Sequence, residues 1–322
     1  MAIEVIKPGL ATSVQDAGRP GFYHLGIPLS GALDQYAFRA ANLLVGNDPT
    51  AAVLEATLLG PELLFRAPTV IAITGAEATP KINGEARPRN ESFAVRAGDQ
   101  LAFDYMRVGA RIYIAVAGGI DVPEILGSRS TYALGALGGF AGRKLAAGDV
   151  LAVGQPRPGA RAGRGLARDL VPTYPKTLEL RVLPGLYFHR LTEESAKSFF
   201  QDKWTVAPEA DRIGYRYRKG RALAFRDRKQ PFGAGSDPSN IVDAGYPYGS
   251  IQVPGGTEPI ILQRDAVSGG GYAMIGTVIS ADMDRIAQMQ PNNEARFVAV
   301  DMAAALKARA EYKSRLARLS AG

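Results

Sequence analysis

The chain of 322 residues is 46% hydrophobic, contains no cysteine and carries a net charge of +7. This composition predicts a folded protein with one large core or two cores of about 150 residues each, and it excludes disulfide bonds, thiol nucleophiles and thiolate metal sites. The basic residues are not interleaved with aromatic residues, so nucleic-acid binding is not expected, and no apolar run reaches the roughly 20 residues of a membrane-spanning helix.

The first half of the chain is predicted to consist mainly of short strands. These strands are rich in β-branched and aromatic residues, and Gly, Pro or Asn turns separate them, as is typical of a barrel or sandwich. They are Val70–Gly75, Ser92–Arg96, Gln100–Tyr105, Arg111–Ala117 and Val150–Val153. One helix interrupts them between Asp34, a potential N-cap, and Gly46, a potential stop signal. Asp34 could serve as this cap or face a ligand.

The second half is predicted to form another β-rich unit. Residues 155–177 are rich in Pro, Gly, Ala and Arg without periodicity, which predicts a linker between a first subdomain, 1–154, and a second, 178–302. Residues 303–322 are predicted to form a helical tail. The fold class is therefore mainly β with a few helices, in two β-rich subdomains. The elements predicted after the linker are strand Leu178–Pro184, helix Glu193–Trp204, and strands Ile251–Pro254, Pro259–Arg264 and Ile275–Ile279.

Candidate functional residues lie in polar blocks that glycines bracket, at Val14–Arg19, Pro28–Asp34 and Ala117–Pro123. Glycine lets the backbone turn sharply and lets a ligand approach, so charged residues in such turns are candidates for binding or catalysis. Arg19, Arg129 and Arg143 also lie beside Gly or Ser, where a guanidinium could receive a carboxylate through two hydrogen bonds. The alternative is that each arginine pairs with a nearby acid and fixes a loop.

Four residues are candidate proton acceptors: Asp16, His24, Asp121 and Tyr132. An aspartate in a glycine turn can instead bind backbone amides, and this alternative applies to Asp121. His24 follows aromatic residues and could instead be a hydrogen-bonded packing residue.

Several familiar motifs are absent from the sequence. There is no P-loop, no Gly-x-Ser-x-Gly elbow and no pair of histidines at a metal-ligand spacing, so neither direct ATP binding through a P-loop nor a bound metal is expected. The N-terminus carries no export signal, and we expect a cytoplasmic protein. No Met-Lys-Met tripeptide occurs, so biotin, if it takes part, must arrive on another chain.

A series of blocks, in order along the chain, resembles the biotin-dependent carboxyltransferase family. This family includes allophanate hydrolase subunit 2, the C subunit of 5-oxoprolinase and the first half of the urea carboxylase carboxyltransferase domain. The resemblance runs from about Val5 to Val300. The blocks are Gln15–Gly21, Pro28–Asp34, Ala40–Asn47, Leu54–Thr57, Thr74–Ala76, Ala115–Pro123, Leu126–Tyr132 and Arg181–Gly185.

The resemblance implies that the second subdomain is a cyclophilin-like β-barrel. It also implies a companion carboxyltransferase subunit, of the type with subdomains C and D, that completes the site. Carboxybiotin would come from a biotin carrier and a biotin carboxylase, and ATP would bind only partner subunits. Residues implied to bind substrate or cofactor, besides the three arginines, are Gln15, Ser30, Asp34, Gly118, Gly119, Arg212, Tyr215, Gln252, Asp265 and Tyr272, and those from Arg212 onward are expected at a rim or substrate pocket.

Three functions remain open from the sequence. The first hypothesis is a carboxyltransferase component that acts on a urea-like or amide nitrogen, because Gly245–Pro254 and Asp265–Tyr272 resemble the urea carboxylase branch. The second is a subunit of an ATP-dependent 5-oxoprolinase-type lactamase. The third is a non-catalytic regulatory or binding subunit, since the same scaffold hosts several chemistries.

Overall fold

A computed structural model describes residues 1–319 of the chain. The contacts divide the chain into two compact units. Unit 1 contains Met1–Arg19, Ser30–Tyr174 and the end of the chain from Ser314. Unit 2 contains Pro20–Leu29 and Pro175–Lys313. The prediction of a mainly β fold with a few helices is confirmed.

Unit 1 holds twelve strands and one complete α-helix in its described residues. Strands β11-β12-β1-β4-β9-β6-β7 form one sheet in that order, and β2-β3-β10-β5-β8 form a second. The elements are β1 (Ala2–Lys7), β2 (Ala11–Gln15), α1 (Gln35–Leu44), β3 (Val53–Thr57), β4 (Glu62–Phe65), β5 (Thr69–Gly75), β6 (Pro80–Ile82), β7 (Glu85–Ala86), β8 (Ser92–Val95), β9 (Gln100–Phe103), β10 (Arg111–Val116), β11 (Ile120–Asp121) and β12 (Val150–Val153).

The central strand β10 shows how the core of unit 1 is built. All six of its residues are buried, because both faces of the strand are covered. Successive side chains point to opposite faces: Ile112 and Ile114 join a core that both sheets line, whereas Tyr113 and Ala115 join a smaller core with helix α1. The five-stranded sheet is therefore packed on both faces, and it anchors the loops that connect its strands.

Helix α1 begins and ends where the sequence predicts. The Asp34 carboxylate accepts a hydrogen bond from the Ala37 backbone N–H at 2.8 Å, which satisfies one of the free amide groups of the first turn. The helix ends just before Gly46, whose φ of 76° is incompatible with a continuing helix. The capping interpretation of Asp34 is thus confirmed.

Unit 2 is built on a closed barrel with the strand order β13-β20-β17-β18-β15-β14-β21. Strands β16 and β19 form a separate two-stranded sheet. The elements are β13 (Thr177–Pro184), α2 (Glu193–Gln201), β14 (Trp204–Val206), β15 (Gly214–Arg218), β16 (Asn240–Gly245), β17 (Ser250–Gln252), β18 (Ile260–Leu262), β19 (Gly269–Tyr272), β20 (Met274–Val278), α3 (Met283–Ala287), β21 (Glu294–Ala299) and α4 (Met302–Leu319).

Aromatic side chains fill one end of the barrel core. The Phe199 ring stacks on Phe297 at 4.6 Å between centroids, and Trp204 and Tyr217 contact Phe297 edge-on or tilted. The predicted helix 193–204 ends earlier, at Gln201, because Trp204 starts strand β14 and is fully buried in this cluster. The predicted barrel in the second half is confirmed as a closed seven-stranded barrel.

The boundary between the units in this part of the chain lies between Tyr174 and Pro175, near the end of the predicted linker, 155–177. Residues up to Tyr174 belong to unit 1 because backbone groups of that segment pair with unit 1. Gly165 bridges to Glu91, the Leu166 N–H donates to the Asn90 carbonyl, and Tyr174 donates to Asp34. The lack of periodicity in this segment therefore reflects irregular structure that packs on unit 1 and not a flexible linker.

The predicted tail, 303–322, is a packed helix over its described part, and residues 320–322 lie outside the described residues. In unit 1, Arg318 pairs with Asp169 and the Arg315 guanidinium lies 4.4 Å from the Tyr36 ring centroid. In unit 2, the Tyr312 hydroxyl donates to Asp284 at 2.5 Å. None of the helices within residues 1–319 is long and apolar enough to cross a membrane.

Candidate functional site

The predicted polar block Val14–Arg19 meets the block Leu126–Tyr132 in unit 1 around the carboxylate of Asp16. Asp16 follows strand β2 and is 8% exposed. Its Oδ1 accepts hydrogen bonds from the Gly18 N–H and the Ser128 hydroxyl, both at 2.7 Å, and from the Ser130 hydroxyl. Its Oδ2 accepts from the Arg129 N–H at 2.5 Å. Asp16 therefore fixes the loop 126–132 against the loop that follows β2.

Gln15 attaches a third block to the same centre. Its Oε1 accepts from the Gly31 N–H at 3.1 Å, while its Nε2 donates to the Thr131 carbonyl at 3.2 Å. Ser30 is fully buried and has a φ of 50°, so the turn that presents Gly31 is set by packing. Three loops that are distant in sequence are thus joined through Gln15 and Asp16.

The three candidate arginines of unit 1 have different environments. Arg19 is 1% exposed, and its Nη2 donates to the Ser130 carbonyl at 2.5 Å, so it packs inside the loop cluster. Arg143 is exposed but forms a two-point ion pair with Asp149, with both N–O distances at 2.7 Å. This hydrogen-bonded pairing lowers the pKa of Asp149. For Arg143 the loop-fixing interpretation is therefore borne out by the geometry.

Arg129 has its backbone and the base of its guanidinium fixed while its tip stays accessible. Its N–H is bound by Asp16, and its Nε donates to the Val122 carbonyl at 2.9 Å. Its Nη1 lies 3.2 Å from Glu124, and 38% of the side chain is exposed. A guanidinium that is oriented by backbone groups and open to solvent is suited to receive a carboxylate.

A buried network beneath the Ser30–Asp34 block was not singled out from the sequence. Glu55 on strand β3 is 2% exposed and accepts from the Leu33 N–H at 2.8 Å and from the Tyr113 hydroxyl at 2.9 Å. The Tyr113 hydroxyl accepts in turn from the Asp34 N–H at 2.8 Å. The Arg111 Nε lies 3.6 Å from Glu55. Burial, followed by the negative charges of Glu55 and Asp34, raises the pKa of Tyr113 well above its usual range.

The glycines of the Ala117–Pro123 block shape a close backbone contact. A methyl group on Gly118 would overlap the Gly154 carbonyl oxygen, and the Gly118 N–H donates to the Asn47 side chain at 2.8 Å. Gly119 lies in the same turn, where its N–H donates to the Val116 carbonyl. Asp121 follows on strand β11 and is exposed. Tyr132 is partly buried, and its backbone pairs with Leu137.

Four of the predicted residues of unit 2 form two hydrogen-bonded groups. Arg212 pairs with Asp265 through two contacts of 2.8 and 3.1 Å. Tyr246 donates to the Tyr272 carbonyl and accepts from the Tyr272 N–H, both at 2.8 Å, and it also bonds to the Gln252 side chain. Burial, the largest effect, raises the pKa of Tyr246.

The structure places Tyr215 and His24 of unit 2 in environments that decide between the predictions made for them. Tyr215 was expected at a rim or pocket but lies in the barrel core, where its hydroxyl donates to the Met289 carbonyl at 3.3 Å. The alternation of strand β15 explains this, since Tyr215 and Tyr217 point inward and Arg216 outward. His24 lies exposed in the single-turn 3₁₀ helix Tyr23–Leu25 and is not a packing residue.

The sequence did not single out the residues whose hydrogen bonds fix the loops of the candidate site. Ser128 and Ser130 alternate within one of the ordered blocks, and this spacing could have suggested a pair of hydroxyls on one side of the chain. Glu55 stands in a strand whose five residues are otherwise apolar or Thr, and a lone acid in a buried strand is a recognisable signal.

Comparison with known proteins identifies the family. The family model for the carboxyltransferase domain, subdomain A and B, matches residues 25–299. The urea amidolyase of Lachancea kluyveri is 37% identical over 316 residues, which cover 93% of this chain and 17% of that protein. The C subunit of 5-oxoprolinase from Escherichia coli is 35% identical over 311 residues, which cover 97% of this chain and 95% of that protein.

The structural comparison agrees. The crystal structure of the K. lactis urea amidolyase matches 99% of this chain and 20% of that chain, with a TM-score of 0.92 and 36% identity. The chain therefore spans a small part of the urea amidolyases and nearly the whole of the C subunit of E. coli 5-oxoprolinase. The resemblance inferred from the ordered sequence blocks is confirmed, and the chain belongs to the family of carboxyltransferase domains formed by subdomains A and B.

Proposed function

We propose that this chain is a component of a biotin-dependent carboxyltransferase that transfers a carboxyl group to a urea-like or amide nitrogen. The site is completed by a companion subunit, and a biotin carrier charged by a biotin carboxylase supplies the carboxyl group as carboxybiotin. The proposal includes a cytoplasmic location, which the absence of cysteine favours. The observation that carries it is the match of nearly the whole chain to the K. lactis urea amidolyase at a TM-score of 0.92.

Arg129 is the residue best suited to bind the carboxylate that is transferred. Its Nε is held by the Val122 carbonyl and its backbone by Asp16, so the guanidinium is oriented before a ligand arrives. A preoriented cation costs little reorganisation during the reaction and stabilises developing negative charge. Arg19 is buried, and both terminal nitrogens of Arg143 are bound to Asp149, so neither arginine is as well placed to bind a further carboxylate.

Asp16 and Asp121 take different parts in this proposal. Asp16 accepts hydrogen bonds from four donors and acts as a positioning residue for the loop that carries Arg129. Asp121 is exposed and immediately precedes Val122, whose carbonyl binds Arg129. We assign the proton acceptor for the substrate nitrogen to Asp121, because it stands beside the anchored arginine and is open to a ligand.

The test is reconstitution of the chain with its companion, the biotin carrier and the biotin carboxylase, followed by measurement of urea-dependent ATP consumption. Arg129→Gln is expected to lower kcat/KM about 100-fold, the cost of losing one oriented donor. Arg143→Gln is the matched control, because it removes the same charge from a neighbouring exposed arginine and is expected to retain activity. Equal activity of both variants would overturn the role of Arg129.

A second candidate is a subunit of an ATP-dependent 5-oxoprolinase-type lactamase. The observation that favours it is the match to the C subunit of E. coli 5-oxoprolinase over 95% of that protein. The same reconstitution distinguishes the two: lactam-dependent ATP hydrolysis without a biotinylated partner would select this function. A regulatory role, the third hypothesis, predicts that Asp16→Asn and Arg129→Gln change no activity of the assembled complex.

A further inference from the structure

Arg190, in unit 2, has a guanidinium that the protein itself leaves unpaired. It stacks on the Tyr187 ring at 4.3 Å from the centroid. Within residues 1–319 its side chain donates no hydrogen bond and makes no ion pair, and its Nη1 is buried. Guanidinium groups carry five N–H donors, and burying one of them without an acceptor costs free energy.

A second arginine, Arg228, lies beside Arg190 and is also incompletely paired. The Arg226 N–H donates to the Arg190 carbonyl at 2.8 Å, and Leu191 bridges to Phe225, so the two segments run alongside each other. Arg228 Nη2 donates to the Asn240 carbonyl at 2.6 Å, which fixes the guanidinium, while its Nε is buried without a partner.

No acid in the described chain neutralises this pair of arginines. Asp227 makes no ion pair with either arginine, and Asp237 binds Ser239 through both its backbone N–H and its hydroxyl. Burial, followed by the positive charge of Arg228, lowers the pKa of Arg190. Two like charges without a counter-ion repel each other, so the arrangement is costly as it stands and becomes favourable when an anion is bound.

We propose that Arg190 and Arg228 form a binding site for an oxyanion, a carboxylate or a phosphate group, on unit 2. The ring of Tyr187 fixes the plane of the Arg190 guanidinium and the Asn240 carbonyl fixes Arg228, so both present donors in a set orientation. Planar guanidinium forks match the geometry of carboxylate and phosphate oxygens. The site uses none of the residues assigned to carboxyl transfer.

The experiment is calorimetric titration of the full chain with inorganic phosphate and, separately, with acetate, in Tris chloride buffer. Saturable binding of one anion per chain by either titrant is expected, and the tighter titrant identifies the class. Arg190→Gln and Arg228→Gln are each expected to weaken binding about tenfold or more, as loss of a hydrogen bond between charged groups does. Arg296→Gln, an exposed arginine on the outside of the barrel, controls for the change in net charge.

Thermal unfolding gives a second readout that does not depend on the heat of binding. The titrant is expected to raise the unfolding temperature of the wild-type chain and of Arg296→Gln by more than that of Arg190→Gln. Without added anion, Arg190→Gln should be at least as stable as wild type, because it removes an unpaired charge. Absence of saturable binding, or equal weakening in Arg296→Gln, would overturn the proposal. Failure of carboxyl transfer leaves this binding result unaffected.

Discussion

Two buried carboxylates of unit 1, Asp16 and Glu55, are built into different kinds of structure. Asp16 lies at the end of a strand, and its donors are two backbone amides and two serine hydroxyls. Glu55 lies within strand β3 and meets the Arg111 guanidinium as well as neutral donors. The first carboxylate therefore organises loops, and the second balances a buried charge inside a sheet.

Gln15, the neighbour of Asp16, and Glu55 hold the same block at two positions. The Gly31 N–H donates to Gln15, beside Asp16, and the Leu33 N–H donates to Glu55. These two contacts lie two residues apart in the chain. A substitution at Gly31 therefore tests the loop cluster, and a substitution at Glu55 tests the sheet. The candidate site therefore depends on the fold through Glu55 and on local loop geometry through Asp16.

Replacement of Glu55 by Gln is expected to have the largest effect on stability. It keeps the volume but removes the negative charge that faces the 1%-exposed Arg111. Breaking a buried ion pair by removing one partner costs about 3–5 kcal/mol. Unfolding by urea, followed by circular dichroism, measures this loss.

The matched control for Glu55 is Glu62→Gln. Glu62 pairs at 2.7 Å with the exposed Lys7, and such pairs contribute about 0–1 kcal/mol. Equal losses of stability in Glu55→Gln and Glu62→Gln would contradict the assignment of Glu55 to a charge-balancing role in the sheet.

Replacement of Gly31 by Ala tests the loop side and is expected to have an intermediate effect. Its φ is 87°, and a methyl group would lie 2.7 Å from the Gly18 nitrogen and 2.8 Å from the Ala17 carbonyl carbon. Gly127→Ala is the control, because its φ of 73° is also positive but nothing lies within 4 Å of the added methyl group. The difference between the two variants isolates the overlap with the loop after β2, about 1–3 kcal/mol of lost stability.

Hydrogen exchange locates the effect of Gly31→Ala. We expect faster exchange at the Gly18 and Arg129 amides, whose acceptor is Asp16, and little change at the Leu33 amide, whose acceptor is Glu55. Uniform acceleration across all three amides would show that the loop cluster and the sheet network respond as one unit and that the two carboxylates do not act separately.

Regular elements of the fold follow from local sequence signals. Helix α1 has a capping Asp34, apolar residues at helical spacing and a terminal Gly46, and these signals act within a few residues of each other. Strand β10 is an uncharged, mainly apolar run from Ile112 to Val116, which is typical of a strand buried on both faces. The ordered polar blocks likewise identify the family without any knowledge of their geometry.

The remaining features depend on contacts between distant residues. Residues 155–174 have no periodicity, and only their pairing with residues such as Asn90 assigns them to unit 1. The pairing of Asp16 with Ser128 and Ser130 spans more than 110 residues of chain, which no local pattern encodes. No sequence pattern distinguishes Arg190 from other arginines, and only the structure shows that its buried Nη1 has no hydrogen-bond partner among residues 1–319.

The smallest expected effect is on the pH dependence of stability at the Arg143–Asp149 pair. The Arg143 hydrogen bonds lower the pKa of Asp149 below its ordinary value of 3.8. A carboxyl group with a lowered folded-state pKa contributes stability above about pH 4, and this contribution is lost as the pH falls through the folded pKa. Arg143→Gln should therefore be slightly less stable than wild type at pH 7, with the difference shrinking towards zero in acid, as measured by urea unfolding between pH 2 and 7.

A difference that stays constant with pH would mean that Arg143 does not act through the Asp149 carboxylate. If the difference shrinks while activity is retained, Arg143 serves to fix its loop, and the proposed carboxylate site in unit 1 is left to Arg129 and the Asp16 cluster that orients it.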